Sequence, residues 1–192
     1  MGIVQGRGIN ASLNEKGRHQ AEMFYKCYRH IPFEKVYTST LNRTKESVEK
    51  FIKNGIPHEE HAGLDEISWG VYEGLEASIE RNTYLKSIIS EWNSGNTSLK
   101  IEGGESPEDV ASRQVDVINR FNEAEEKNIL VCMHGRAIRV LLCQLMGYPL
   151  LEMDKFGHDN LGLYILTYEN GGYRIEMANS TRHLTVDAYR SS

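Results

Sequence analysis

The sequence predicts one α/β domain, over residues 1–192, built on a mainly parallel sheet. Strand-like and helix-like segments alternate along the chain without a repeat or a low-complexity tract, which is typical of this fold class. The 192 residues, 40% of them hydrophobic, are enough to bury a full core. An apolar run over 129–133 also passes directly into a segment with helical spacing.

The first third of the chain predicts a helix, a strand and a second helix. Residues 14–30 place apolar side chains at helical spacing, so we expect an amphipathic helix there. A short strand over 35–38 follows. Ser39 or Thr40 is then expected to cap a helix that an Asn-Gly pair ends near residue 54.

The middle of the chain, about 65–105, is more polar and predicts a small cap segment over the edge of the sheet. We expect one helix within it, over 79–92. Ser106 marks the start of the next helix, because Pro107 follows at the first helical position and two acids complete the first turn.

The last third predicts a buried strand, a helix and a hairpin. The strand over 129–133 delivers His134 to the start of a helix, where unpaired N–H groups favour an anion. The alternative is a core histidine that happens to end a strand. Segments 161–168 and 173–177 are expected to pair as antiparallel strands across a Glu-Asn-Gly-Gly turn, closing the fold at an edge.

Composition excludes several classes of partner. The net charge of −5 and the absence of a dense Lys/Arg cluster argue against a nucleic acid or an anionic membrane as the main partner. No stretch has the apolar length that spans a bilayer. The three cysteines lack CxxC spacing, so we expect a reduced, cytoplasmic protein.

Three polar residues lie where ligands bind in α/β sheets. Arg43 and His134 each follow a strand, and Glu66 lies in a loop between them. Because the carboxyl ends of strands meet at one edge, these residues can converge on one pocket. A guanidinium, a carboxyl group and an imidazole together suit phosphoryl transfer, and this set requires no metal or other cofactor.

Several motifs, in order, resemble the histidine phosphatase superfamily, also called the phosphoglycerate mutase-like family. The resemblance covers nearly the entire chain and implies a three-layer fold with helices on both faces of the sheet. The motifs lie at 4–8, 13–21, 36–44, 64–74, 103–106, 131–135 and 160–166.

The resemblance implies a role for each site residue. Glu66 is the general acid for the leaving oxygen and then the base for the attacking water, with Asp65 as the alternative. His134 stabilises the transferring phosphoryl group, and Arg43 clamps the phosphate. The other substrate contacts implied are Gln5, Gly6 and Gly135.

One family feature is absent from the sequence. Family members begin with a strand that ends in Arg-His-Gly, whose histidine accepts the phosphoryl group, and no such triplet occurs here. The motif over 4–8, which contains Gln5 and Gly6, resembles the loop that the family calls the QG loop. We therefore expect a chain shortened before this loop, with its first strand missing and with unpaired backbone groups on the flanking strands. The remaining histidines are expected to be solvated or structural: His19, His30, His58, His61, His158 and His183.

The function expected from the resemblance is hydrolysis of a small phosphorylated metabolite. In the intact family member this reaction passes through a phosphohistidine, so the chain as given is expected to be impaired. The alternatives are phosphoglycerate mutase-type transfer, a pseudoenzyme that binds phosphorylated ligands, and a scaffold without a ligand. The sequence does not identify the substrate, and it does not decide whether the protein forms a homodimer.

Overall fold

The computed structural model describes residues 3–76 and 78–185, in which helices and strands alternate as expected. The α-helices are α1 (Glu15–Tyr28), α2 (Asn42–Lys53), α3 (Ile79–Asn93), α4 (Pro107–Asn122) and α5 (Gly135–Met146). The strands are β1 (Lys35–Thr38), β2 (His58–Glu60), β3 (Ile129–Cys132), β4 (Leu163–Glu169) and β5 (Gly172–Ser180).

A parallel three-stranded sheet in the order β2-β1-β3 forms the centre of the fold. Thr38 at the end of β1 lies opposite Glu60 on one side and Cys132 on the other. All three strands therefore end at the same edge of the sheet, which confirms the parallel arrangement. β2 was not predicted, because its His-Glu-Glu sequence has no apolar pattern.

The predicted hairpin is confirmed as the antiparallel pair β4-β5. Asn170 and Gly171 join the strands with φ values of 54° and 78°, which is the geometry of a two-residue type I′ turn. Within the described ranges this pair forms a sheet of its own and is not hydrogen-bonded to the parallel sheet.

Helices cover both faces of the parallel sheet, as the resemblance implied. Alternate residues of β1 point to opposite faces, so Val36 packs with the α1 and α2 side chains while Tyr37 packs with α4. Leu130 and Val131 of β3 follow the same alternation. The sheet is thus the middle of three layers.

The segment expected to cap the sheet contains α3, close to the predicted bounds of 79–92. Trp92 is fully buried in a cluster that includes Val140 of α5 and Met153, and its Nε1 donates to the Leu99 carbonyl at 2.8 Å. Ile79 at the other end is 87% exposed. No helix in the described residues has both the length and the apolarity to cross a membrane.

The two predicted helix caps have different outcomes. Ser106 caps α4 through a reciprocal pair of hydrogen bonds with Asp109, as expected. The expected cap of α2 by Ser39 or Thr40 is wrong, because the N-cap residue is Leu41 and its side chain makes no cap hydrogen bond. The Ser39 hydroxyl is bound instead to a distant histidine.

Candidate active site

The ends of two neighbouring strands bring Arg43 and His134 together. Thr38 pairs with Cys132, so the chain leaves β1 and β3 side by side. Arg43 then lies in the first turn of α2, and His134 is the N-cap residue of α5. The Arg43 Nε donates to His134 Nδ1 at 3.1 Å.

The partners of His134 determine which ring nitrogen carries the proton. Because a guanidinium only donates, Nδ1 is an acceptor and Nε2 bears the hydrogen. The Nε2–H donates to Ser39 Oγ at 2.7 Å, and Ser39 Oγ also contacts Thr44 Oγ1 at 2.9 Å. The imidazole is therefore held by a protein partner at both nitrogens.

His134 is uncharged at neutral pH. Burial lowers its pKa to about 3, and the charges of Arg43, Arg113 and His158 act in the same direction. To donate hydrogen bonds from both nitrogens, this imidazole has to take up a proton.

Arg43 joins the N-terminal loop to the site. Its Nη1 donates to the Ile9 carbonyl at 2.6 Å and its Nη2 to the Gly6 carbonyl at 3.2 Å. With the bond to His134, three of its five N–H donors have protein acceptors, which leaves two for an oxyanion. Burial lowers the pKa of Arg43, and Glu66 is the largest opposing charge.

Glu66 is bound to the start of α5. Its Oε1 accepts hydrogen bonds from the Ile67 and Ala137 N–H groups, both at 2.9 Å, and its Oε2 accepts one from Arg136 N at 3.1 Å. The helix start that was expected to help hold a phosphate thus holds a carboxylate of the protein. Glu66 is thereby fixed beside His134.

Asp65, the alternative acid, is occupied elsewhere. Its Oδ1 accepts from both the backbone and the hydroxyl of Thr40 at 2.8 Å, and its Oδ2 accepts from Arg7 Nε at 3.1 Å. Only 2% of Asp65 is exposed. Between the two neighbours, the geometry favours Glu66 as the carboxyl group that meets a ligand.

Arg43, Glu66 and His134 line one open cleft of about 560 Å³. Gln5 and Gly135 also lie on its wall. This volume falls in the usual range for sites that bind small molecules. Residues predicted from separate stretches of sequence thus share one cavity.

One family model matches nearly the whole chain. The model for the histidine phosphatase superfamily (branch 1) matches residues 2–181. The chain belongs to this superfamily.

Similar proteins include mutases and phosphatases. The chain is 29% identical over 140 residues to 2,3-bisphosphoglycerate-dependent phosphoglycerate mutase 2 of Gloeobacter violaceus, covering 69% of this chain and 64% of the mutase. It is 23% identical over 186 residues to phosphoserine phosphatase 1 of Hydrogenobacter thermophilus, covering 96% and 87%. The match to the mutase therefore spans less than two thirds of that protein.

The fold is that of solved family structures. The complex of mycobacterial glucosyl-3-phosphoglycerate phosphatase with inorganic phosphate superposes with a TM-score of 0.83, at 20% identity. The alignment covers 95% of this chain and 93% of the phosphatase. At this identity the likeness describes the fold alone.

Gly6 is not among the described residues that line the cleft. It is buried, and a Cβ atom added there would lie 2.6 Å from the Ile67 carbonyl oxygen and against the Glu73 carboxylate. The position therefore requires glycine for packing, while its carbonyl accepts from Arg43. Its expected contact with substrate stays a prediction.

Sequence reasoning missed Arg113, which holds the loop that carries Glu66. Its guanidinium donates to the carbonyls of Ala62, Gly63, Asp65 and Glu66 and to the Glu105 carboxylate. Arg113 lies on α4 beside the buried positions 110, 114 and 117. The sequence signal that could have identified Arg113 is its position next to the buried face of the predicted helix.

His158 also lines the cleft, although its sequence context gave it no role. A Cβ atom added at Gly135 would lie 2.9 Å from its Nδ1, so the imidazole packs against the start of α5. Burial lowers the pKa of His158, and the Glu66 charge opposes that shift. Nothing in the segment before β4 has the strand-to-helix pattern that identified His134.

Proposed function

We propose that the cleft binds the phosphoryl group of a small phosphomonoester and that the protein hydrolyses this ester. The observation that carries the proposal is the meeting of Arg43, Glu66 and His134 in one cavity. A guanidinium binds phosphoryl oxygens, an imidazole neutralises transferring charge, and a carboxyl group moves the proton. The phosphoserine phosphatase among the relatives supports hydrolysis.

Arg43 and His134 respond to the ligand together. In the free site the Arg43 Nε–H donates to His134 Nδ1. A phosphoryl oxygen placed between them competes for that donor and favours a proton on Nδ1, because its charge stabilises an imidazolium. Both groups then donate to the phosphoryl group, which is the charge pattern that stabilises its transfer.

Glu66 supplies the proton for the leaving oxygen. Its Oε2 accepts a single backbone hydrogen bond, from Arg136, so a lone pair of that oxygen remains for a proton that moves. The alcohol leaves as a nucleophile forms its bond to phosphorus, either water, whose proton passes to a phosphoryl oxygen, or an imidazole acceptor where one is present. When the phosphorylated imidazole is hydrolysed, Glu66 Oε2 takes the proton of the attacking water.

A second candidate is binding of phosphorylated ligands without turnover. One observation favours it: His134 is the only histidine in the sequence that glycine follows, and it is preceded by Met133 rather than arginine. The Arg-His-Gly acceptor that the resemblance implies is therefore not among these residues.

The experiment measures binding and turnover separately. Calorimetry with inorganic phosphate tests binding, and release of phenol from phenyl phosphate and of nitrophenol from p-nitrophenyl phosphate tests turnover. Each rate is measured with and without free imidazole, which can act as an external phosphoryl acceptor. We expect phosphate to bind and both esters to be cleaved, with faster cleavage when imidazole is present.

Glu66→Gln tests the proton transfer. We expect this variant to slow the cleavage of phenyl phosphate by a factor of about 10² to 10⁴, and that of p-nitrophenyl phosphate much less, because the better leaving group needs less help from an acid. Glu125→Gln, at an exposed position, is the control and should match the wild type. Phosphate binding without cleavage of either ester, with or without imidazole, would assign the second candidate instead.

A further inference from the structure

The phosphate cleft continues into a second cavity. The second cavity has a volume of about 540 Å³ and reaches Thr181 and Thr185. Both cavities are lined by Lys16, Gln20, His158 and Asn160. One groove therefore runs from the Arg43 and His134 side chains to the segment that follows β5.

The second cavity, which we call the outer groove, is polar. Its lining carries the Lys16 ammonium group and the amides of Gln20 and Asn160. One carboxylate, that of Asp159, also lines it, and this group accepts from Asn179 Nδ2 at 2.8 Å. The chemistry of this surface suits a charged or hydroxylated ligand better than an apolar one.

Lys16 is the cation of this surface. It lies in the first turn of α1 and is exposed. Its ammonium group forms no ion pair with residues 3–76 or 78–185. A lysine that faces a groove and forms no ion pair with a described carboxylate is able to bind an anion of the ligand, and its contribution is strongest at low salt.

The geometry of the groove places the outer part on the leaving-group side. When Arg43 and His134 bind the phosphoryl group, its ester substituent has to extend along the open part of the cleft. This open part continues past His158. The imidazole of His158 lies on the wall of both parts. Lys16 also lines both parts, so a substituent that extends out of the inner cleft meets its side chain where the two parts join.

We infer that Lys16 is a specificity-determining residue, and that it selects phosphomonoesters whose leaving group carries a second anionic group, either a carboxylate or a phosphate. This inference rests on the proposed function, because it assumes that the inner cleft holds the phosphoryl group. It adds the substrate class and the residue that recognises it.

The test uses phosphonates, which bind without being hydrolysed, so its result does not depend on turnover. Dissociation constants are measured by calorimetry for inorganic phosphate, phenylphosphonate, 4-carboxyphenylphosphonate and benzene-1,4-diphosphonate. We expect the two ligands with a second anion to bind about five- to tenfold more tightly than phenylphosphonate, with a preference that weakens as salt is added. The comparison of these two ligands separates a carboxylate from a phosphate as the preferred group.

Lys16→Met should remove this preference, so that the dissociation constants of the three phosphonates become equal, whatever its effect on the affinity for inorganic phosphate. Lys86→Met, at an exposed position on α3, is the control and should keep the preference. Equal affinities in the wild type, or a preference that survives in Lys16→Met, would overturn the inference while leaving phosphoryl binding intact. Loss of inorganic phosphate binding in the wild type would instead reject the proposed function itself.

Discussion

Ser39 supports the tautomer of the central histidine by accepting a hydrogen bond from its Nε2–H. Its hydroxyl accepts from His134 Nε2 at 2.7 Å and from the Leu41 N–H at 3.1 Å, and it is fully buried. A buried donor without an acceptor is destabilising, since it loses water and gains nothing. The serine therefore acts on both the stability and the geometry of the site.

We predict that Ser39→Ala lowers the free energy of unfolding by about 1–3 kcal/mol, because it leaves the His134 Nε2–H and the Leu41 N–H unpaired. Urea denaturation followed by circular dichroism measures the change. Ser87→Ala is the matched control, because the Ser87 hydroxyl is exposed and donates only to the Tyr84 carbonyl of its own helix. Equal losses in the two variants would contradict the role of Ser39.

A second prediction concerns the nitrogens of His134. At pH 7 the ¹⁵N spectrum of the free protein should show Nδ1 without a proton and Nε2 with one, since Arg43 and Ser39 impose this tautomer. Saturation with inorganic phosphate should move Nδ1 toward the protonated shift, because the anion raises the pKa of the ring. An unchanged Nδ1 signal in the saturated protein would rule out the coupled response of Arg43 and His134.

The sequence predicts the site residues better than their connections. Arg43 and His134 were found because each follows a strand, and that setting is visible in the apolar pattern. The bond from His134 to Ser39 joins positions 95 residues apart. It depends on the register of β1 against β3, which no local pattern encodes. Ser39 was therefore assigned to a helix cap.

At the scale of elements, α4 supports the loop that carries the acid. Arg113 on this helix donates to four carbonyls of the loop over 62–66, and its Nε donates to Glu105 Oε1 at 2.9 Å. Glu105 Oε2 in turn accepts from the Ser68 N–H at 2.9 Å. The helix and the loop are thus joined by one guanidinium.

We predict that Arg113→Met destabilises the protein by about 2–3 kcal/mol, because hydrogen bonds to a charged group are lost from a largely buried position. Hydrogen exchange at the amides of Ile67 and Ser68 should become faster, and the affinity for inorganic phosphate should fall as Glu66 loses its fixed position.

Arg120→Met is the control. Arg120 forms ion pairs with Glu59 of β2 and with Asp116 of α4, but it is exposed, so its loss should lower the stability by about 0.5 kcal/mol. If exchange at Ile67 and Ser68 stays unchanged in Arg113→Met, the loop does not depend on this guanidinium.

Element boundaries followed from chemistry that the sequence shows directly. Ser106-Pro107 predicted the start of α4, because a capping hydroxyl and a proline act within one turn. β2 was missed, because three polar residues at a sheet edge carry no alternation. The strand forms through pairing with β1, and that pairing is a tertiary effect.

For the whole molecule, the alternation of strands and helices predicted the fold class, and Val36 and Tyr37 of β1 show why. Their two apolar side chains point to opposite faces, so both faces need a helical layer. The same alternation could not predict whether the hairpin is hydrogen-bonded to the parallel sheet. Which strands share a sheet depends on neighbours in space, and β4 and β5 pair only with each other among the described strands.

Several histidines make the stability of the whole protein depend on pH. Burial lowers the pKa of each below its ordinary value of 6.5: His58, His134, His158 and His183. Below pH 6.5 the unfolded chain therefore binds more protons than the folded protein. The stability that these groups contribute is fully present above pH 6.5 and is lost as the pH falls toward the folded values.

His134 should dominate this acid destabilisation, because its folded pKa is lowered to about 3. Linkage from 6.5 in the unfolded chain predicts a loss of about 2 kcal/mol from this residue alone at pH 5. Urea denaturation at pH 7.5, 6 and 5 measures it. The wild type should lose stability across this series, and His134→Gln should lose about 2 kcal/mol less, since glutamine does not titrate.

The control is His30→Gln, at an exposed position, which should follow the wild type. Equal slopes for His134→Gln and the wild type would mean that His134 has the same pKa in the folded and the unfolded chain, and the lowering of its pKa by burial would then be wrong.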